Sequence, residues 1–119
     1  MAKTLVMGAS LRADRYSNMA IRSLRNRGKE TVAFGMQKGS VLDVLVDTQL
    51  IKYDDVGTVT LYMNPFRQKP YYDYIISLKP QRVIFNPGTE NPEFYQLLEA
   101  NNIEVEVACT LVMLSTNQY

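Results

Sequence analysis

Short apolar runs rich in β-branched residues alternate along this chain with stretches whose apolar residues recur at helical spacing. Lys3 to Gly8 (KTLVMG) reads as a buried strand. Ser17 is placed to cap a helix running to about Arg27, with Ala20, Ile21 and Leu24 on one face and Arg22 and Arg25 on the other. Gly28 follows, where a helix C-terminus favours glycine. Glu30 to Gly35 (ETVAFG) predicts a second strand. From Met36 to Val56 the pattern is mixed: VLDVLV has room for a short extra strand, and KYDDV for a turn or short helix. Thr58 to Met63 (TVTLYM) is the third clear strand, stopped by Asn64-Pro65. Tyr71, Tyr74, Ile75 and Leu78 then share a helix face, and Pro80 ends that helix. Arg82 to Phe85 is a fourth strand. Asn91 and Pro92 mark the N-cap and first residue of a helix whose apolar face is Phe94, Leu97 and Leu98. Ile103 to Ala108 (IEVEVA) alternates like a half-exposed edge strand, and CTLVMLST closes the chain as a short helix or an extended segment.

Strand and helix alternate about five times, which predicts an α/β fold with a mainly parallel sheet and helices on both faces. Right-handed crossovers make this a Rossmann-like doubly wound sheet, with expected strand order 3-2-1-4-5. That order places the first strand beside the fourth, Arg82 to Phe85. The 119 residues fit one domain, 1–119. In such a sheet ligands bind beyond the carboxyl ends of the strands, so the residues just after each strand are the ones to read.

Composition narrows the chemistry. Histidine is absent, which removes His-based triads, bases and metal sites; no metal site is expected. The one cysteine, Cys109, cannot form an internal disulfide and fits a reducing compartment. No apolar run is long enough for a signal peptide or membrane span, so the expected location is cytoplasmic with no membrane partner. A net charge of +1 favours neither nucleic acid nor an acidic role. The first helix is basic, but no aromatic platform accompanies it, and no nucleic-acid partner is expected.

The first strand end reads GASLRADRYS. Only Gly8 occupies a glycine position of the dinucleotide-binding turn, and the loop is longer than that turn. It still offers Ser10, a helix N-terminus near Ser17, and the positive charges of Arg12 and Arg15, which together suit an anion. An ordinary capped connection is the alternative. After the second strand, Lys38 stands between two glycines where an NAD-binding domain carries an acid. A lysine there suits an adenosine with an extra ribose phosphate, found in NADP and in coenzyme A; a solvated turn lysine is the other reading. After the third strand, Tyr62, Met63 and Phe66 can wall a flat ring or belong to the core. After the fourth comes the turn-rich FNPGTENPE, with Gly88 and Thr89 expected near the first loop.

In order and spacing, GAS, RYS, QKG, YMNP, NPGTEN and ACTLVML resemble the small stand-alone CoA-binding proteins, themselves similar to the N-terminal CoA-binding domain of the succinyl-CoA synthetase alpha subunit. The likeness runs from Lys3 to about Ser115. It implies that Gly8, Ala9 and Ser10 meet phosphates flanked by Arg15, Tyr16 and Ser17. It implies that Lys38 reaches the ribose phosphate. Tyr62, Met63, Asn64 and Pro65 would line the adenine or pantetheine path, and Asn86, Pro87, Gly88 and Thr89 would lie along the pantetheine arm. The chain departs from the family at Met36-Gln37, where a proline often precedes the lysine. It also lacks the synthetase's phosphohistidine domain, so ligase activity does not carry over.

The expected function is binding of coenzyme A, free or acylated, by a non-catalytic carrier, sensor or regulatory module. The alternative is an NADP-binding reductase or redox sensor, and a third reading is a protein-interaction module with a vestigial cleft. Cys109 reads as a buried inert thiol or, alternatively, as a partner for a mixed disulfide with the CoA thiol.

Overall fold

The structure, a computed structural model, describes residues 2–119. Seven strands form one sheet: β1 (Lys3–Ala9), β2 (Thr31–Gly35), β3 (Gly39–Val41), β4 (Val44–Asp47), β5 (Val56–Leu61), β6 (Arg82–Phe85) and β7 (Glu104–Val107). Five α-helices accompany them: α1 (Tyr16–Asn26), α2 (Pro65–Gln68), α3 (Tyr72–Ser77), α4 (Pro92–Ala100) and α5 (Thr110–Ser115). A 3-10 turn, Lys69–Tyr71, links α2 to α3. The fold is the mixed, mostly parallel Rossmann-like sheet that the alternation predicts.

The strand count and order differ from expectation. The sheet runs β3-β4-β2-β1-β5-β6-β7. Residues 39–47 make a hairpin around Leu42 and Asp43, with Leu42 at φ 53° and the Asp43 carboxylate taken by the Arg25 guanidinium through two 2.8 Å hydrogen bonds. Its second strand, β4, pairs parallel with β2. Val44 and Val46 are buried while Leu45 is exposed, the alternation of a half-covered strand. The seat beside β2 is thus filled by β4. The strand read as third, β5, therefore pairs with β1 on its other side, and β6 sits one place away from β1 rather than beside it. Counting parallel strands alone, the order is 3-2-1-4-5-6 with β4 as the third. The loop from Thr48 to Asp55 contains no helix. It is pinned by the Tyr53 phenol donating to the Asp47 carboxylate and by Lys52 Nζ donating to the Ser77 carbonyl (2.7 Å).

Two apolar clusters cover the two faces of the sheet. One packs Ile75 and Leu78 of α3 and Phe94 and Leu98 of α4 against Leu5, Met7, Val59, Leu61 and Phe85. The other packs Ile21 and Leu24 of α1 and Leu114 of α5 against Val6, Ala33 and Val46. Each fully buried side chain of this size contributes about 1.5–3 kcal/mol. The alternate residues of β1 feed opposite clusters, so β1 anchors both layers. The chain leaves β1 toward α1 on one face and leaves β5 toward α2 and α3 on the other. The ends of these two neighbouring strands diverge, which opens a crevice between them.

Candidate functional site

A solvent-open cleft of about 500 Å³ occupies this crevice, within the size range of small-molecule sites. Gly8 to Arg12 and Arg15 to Ser17 form one wall, Tyr62 to Asn64 and Arg67 the other; Met36 and Gln37 close one end and Pro87 to Thr89 complete the lining.

Local sequence explains each wall. Gly8 has φ 93°, and a Cβ on it would stand 2.8 Å from Met63 Cγ and 3.0 Å from the Tyr62 backbone. Its glycine therefore serves the close passage of β1 past the exit of β5. The loop beyond it is tied to α1 by side chains. Ser10 N–H donates to Ser17 Oγ (3.1 Å), and Asn18 Nδ2 donates to the Ser10 carbonyl (2.9 Å). Ser17 is consequently not the N-cap expected from the sequence. Arg15 takes that place with no side-chain cap, and the helix begins at Tyr16. The first amides of α1 have no partner within the helix, so their donors and the dipole remain available at the cleft.

The opposite wall rests on α2. Asn64 caps it, its side chain accepting from Arg67 N–H (2.9 Å), and Pro65 is the first helical residue. Gln68, fully buried, donates from Nε2 to the Met63 and Thr89 carbonyls (2.8 Å each) and accepts from Asn91 Nδ2 (2.9 Å). One amide side chain thus joins the loops that follow β5 and β6.

Three arginines line the cleft, Arg12, Arg15 and Arg67, and no carboxylate does. Arg12 is held by Asp14 at 2.9 Å, and this partner keeps the Asp14 carboxyl below its ordinary range. Arg15 and Arg67 make no ion pair among the described residues. Apolar side chains stand at the mouth, Tyr16 being 71% and Met36 70% exposed. The Tyr62 hydroxyl is buried without a hydrogen-bond partner, and the neighbouring Thr60 and Thr110 hydroxyls bond each other (2.8 Å). Burial pushes its pKa up to about 12. The arrangement can neutralise, orient and partly cover an elongated anion. Its lining includes no carboxylate or thiol to move a proton.

Of the residues singled out from sequence, Gly8, Ala9, Ser10, Arg12, Arg15, Tyr16, Ser17, Tyr62, Met63, Asn64, Pro87, Gly88 and Thr89 line the cleft together. Asn86, Pro65, Lys38 and Phe66 are not on its wall. Asn86 is buried and spent on structure: Nδ2 donates to Thr60 Oγ1 (2.7 Å) and the Leu61 carbonyl (2.8 Å), and Oδ1 accepts from Thr110 N–H (2.8 Å). Lys38 is exposed, one residue beyond Gln37, and Phe66 is 85% exposed. Cys109 is partly buried as the N-cap of α5 and is also off the wall. Gly88 and Thr89 reach the cleft although β6 does not adjoin β1, because Gln68 draws their loop toward α2. Leu11, Met36, Gln37 and Arg67 are lining residues that sequence reasoning does not single out. A basic residue just after the third strand's Asn-Pro stop was the available signal for Arg67.

Residues 2–115 match a family model described as a CoA binding domain. A crystal structure of an uncharacterized protein is 46% identical, with a TM-score of 0.96, covering 100% of this chain and 98% of that one. The cell-free ID.343 protein from Thermus thermophilus superposes with a TM-score of 0.84 at 21% identity, over 99% of this chain and 91% of that one. A hypothetical protein from Pyrococcus horikoshii OT3 superposes with a TM-score of 0.86 at 20% identity, over 96% and 82% respectively. The last two likenesses establish the fold alone. No curated protein matches the chain.

Proposed function

The chain belongs to the CoA binding domain family, and on that premise we propose that it holds coenzyme A, free or acylated, in the cleft between β1 and β5. It acts there as a carrier, sensor or regulatory module rather than an enzyme. The observation that carries this reading is the lining itself: three arginines, free helix amides and no carboxylate, set at the switch point of the sheet. Phosphates sit against Gly8 to Ser10 and the start of α1, where backbone donors and the helix dipole favour negative charge. Met36 and Gln37 place the adenosine at the end of β2. From there the four-carbon stem of the exposed Lys38 can bring its ammonium to the ribose phosphate. Tyr62 to Asn64 and Pro87 to Thr89 flank the pantetheine path, while Pro65 and Asn86 support the loops from behind.

Calorimetric titration with coenzyme A and with NADPH tests the reading. Micromolar affinity corresponds to about 8 kcal/mol, within reach of a few charge-assisted contacts of about 1.5–3 kcal/mol each. Coenzyme A is expected to bind tightly and to displace any NADPH. Tighter binding of NADPH would favour a redox role and overturn the assignment.

A further inference from the structure

We infer that Arg67, acting with Arg15, holds the diphosphate of the bound nucleotide; the inference rests on the CoA reading for the ligand but on the cleft's own charges for the residues.

The charge distribution leads to this pair. Of the three arginines on the wall, Arg12 is already neutralised by Asp14 at 2.9 Å. Arg15 and Arg67 make no ion pair among the described residues, and no carboxylate lies on the wall to supply one. The two approach from opposite faces of the sheet. Arg15 is the N-cap of α1, which belongs to the layer packed with Val6 and Ala33, whereas Arg67 lies in α2, on the α3 side. A linear group with one negative charge on each of two phosphates matches two cations that flank a crevice. Guanidinium forks suit such oxygens geometrically.

The mounting of Arg67 is equally specific. Its backbone N–H is fixed by Asn64 Oδ1 at 2.9 Å. The next residue, Gln68, is fully buried and bonded to both the Met63 and Thr89 carbonyls at 2.8 Å. The Arg67 backbone is therefore locked to both neighbouring strand ends while its side chain stays free in the cleft. Lys38, off the wall beyond β2, lies at the adenosine end instead. The two cations divide the labour: Arg67 serves the diphosphate and Lys38 the ribose phosphate.

Titrations of wild type, Arg67→Ala, Arg67→Lys and Lys38→Ala with coenzyme A, dephospho-CoA and ADP test this division. Arg67→Ala is expected to weaken coenzyme A and dephospho-CoA equally, by about tenfold, with partial recovery in Arg67→Lys and an unchanged melting temperature. Lys38→Ala is expected to weaken coenzyme A several-fold, by roughly the strength of a partly exposed ion pair, and to leave dephospho-CoA unaffected. If Arg67→Ala binds both ligands within about twofold of wild type, Arg67 is not the diphosphate residue and the CoA reading stands. If wild type binds ADP in an Arg67-dependent way but coenzyme A no more tightly, Arg67 stands and the CoA reading falls. If wild type binds none of the three, both fall.

Discussion

Tyr62 concentrates the question of what a single side chain contributes to the cleft. Its ring covers part of the wall while its hydroxyl is buried without a partner. A buried unsatisfied hydroxyl costs about 1–3 kcal/mol, and removing it recovers that cost if the space stays filled. Tyr62→Phe is accordingly expected to raise stability by about 1 kcal/mol, or about 4 °C in melting temperature. A fall of similar size in a calorimetric scan would mean that the hydroxyl has a favourable role in the folded protein. At this scale the sequence was informative about residue type more than about duty. Gly8 was legible as special, but as a phosphate turn; the structure adds the 2.8 Å approach of Met63 Cγ to its missing Cβ. The family resemblance puts Asn86 along the pantetheine arm, and in the fold its amide is taken up by Thr60, Leu61 and Thr110. Only folded neighbours distinguish a polar group that is free from one that is spent.

Among the elements, α4 is the one whose start the sequence predicts to the residue: Asn91 is the N-cap and Pro92 the first helical position. Its cap does more than end a helix. Asn91 Oδ1 accepts from Phe94 N–H (3.2 Å), and Nδ2 donates both to Gln68 Oε1 (2.9 Å) and to the Tyr72 hydroxyl (2.8 Å). Loss of an ordinary cap costs about 1 kcal/mol. Asn91→Ala also leaves buried Gln68 short of a donor, so the expected loss is about 2–3 kcal/mol by urea denaturation. A loss near 1 kcal/mol would indicate that the Gln68 latch does not depend on Asn91. The first helix shows the opposite case. Ser17 has the side chain of a cap, yet Arg15 holds the position because the Ser17 hydroxyl is drawn to Ser10 N–H. Capping signals decide a helix start where no tertiary partner competes for the side chain.

Across the whole molecule, no large response to pH is expected near neutrality. With no histidine, the chain lacks the side chain whose ordinary pKa lies between pH 5 and 8. Burial raises the pKa of Tyr62 and of Tyr74 to about 12 each, and burial with the nearby Asp47 raises Tyr53 further. A group whose folded pKa lies above its unfolded value contributes stability that is complete below the unfolded value, 10.0 for tyrosine, and is lost as pH climbs toward the folded one. The melting temperature is therefore expected to hold near neutrality and to fall above about pH 10, in step with tyrosinate absorbance. In Tyr62→Phe the alkaline fall should be shallower. A fall centred near pH 7 would overturn this account.

The amphipathic periods, the Asn-Pro and Gly stops and the absence of histidine were determined by the sequence alone, because they depend on local backbone preference and residue chemistry. From them followed the α/β class, the helices α1, α3 and α4, and five of the seven strands. The tertiary structure decided the strand order, since β3 and β4 are too short to declare their partners locally and register is settled by burial of Val44 and Val46 against the layer of α1. It also decided the membership of the cleft. Arg67 and Met36 come to face it, and Asn86 is withdrawn from it, through contacts between residues far apart in the chain. Such contacts form only when apolar burial has brought the strand ends together.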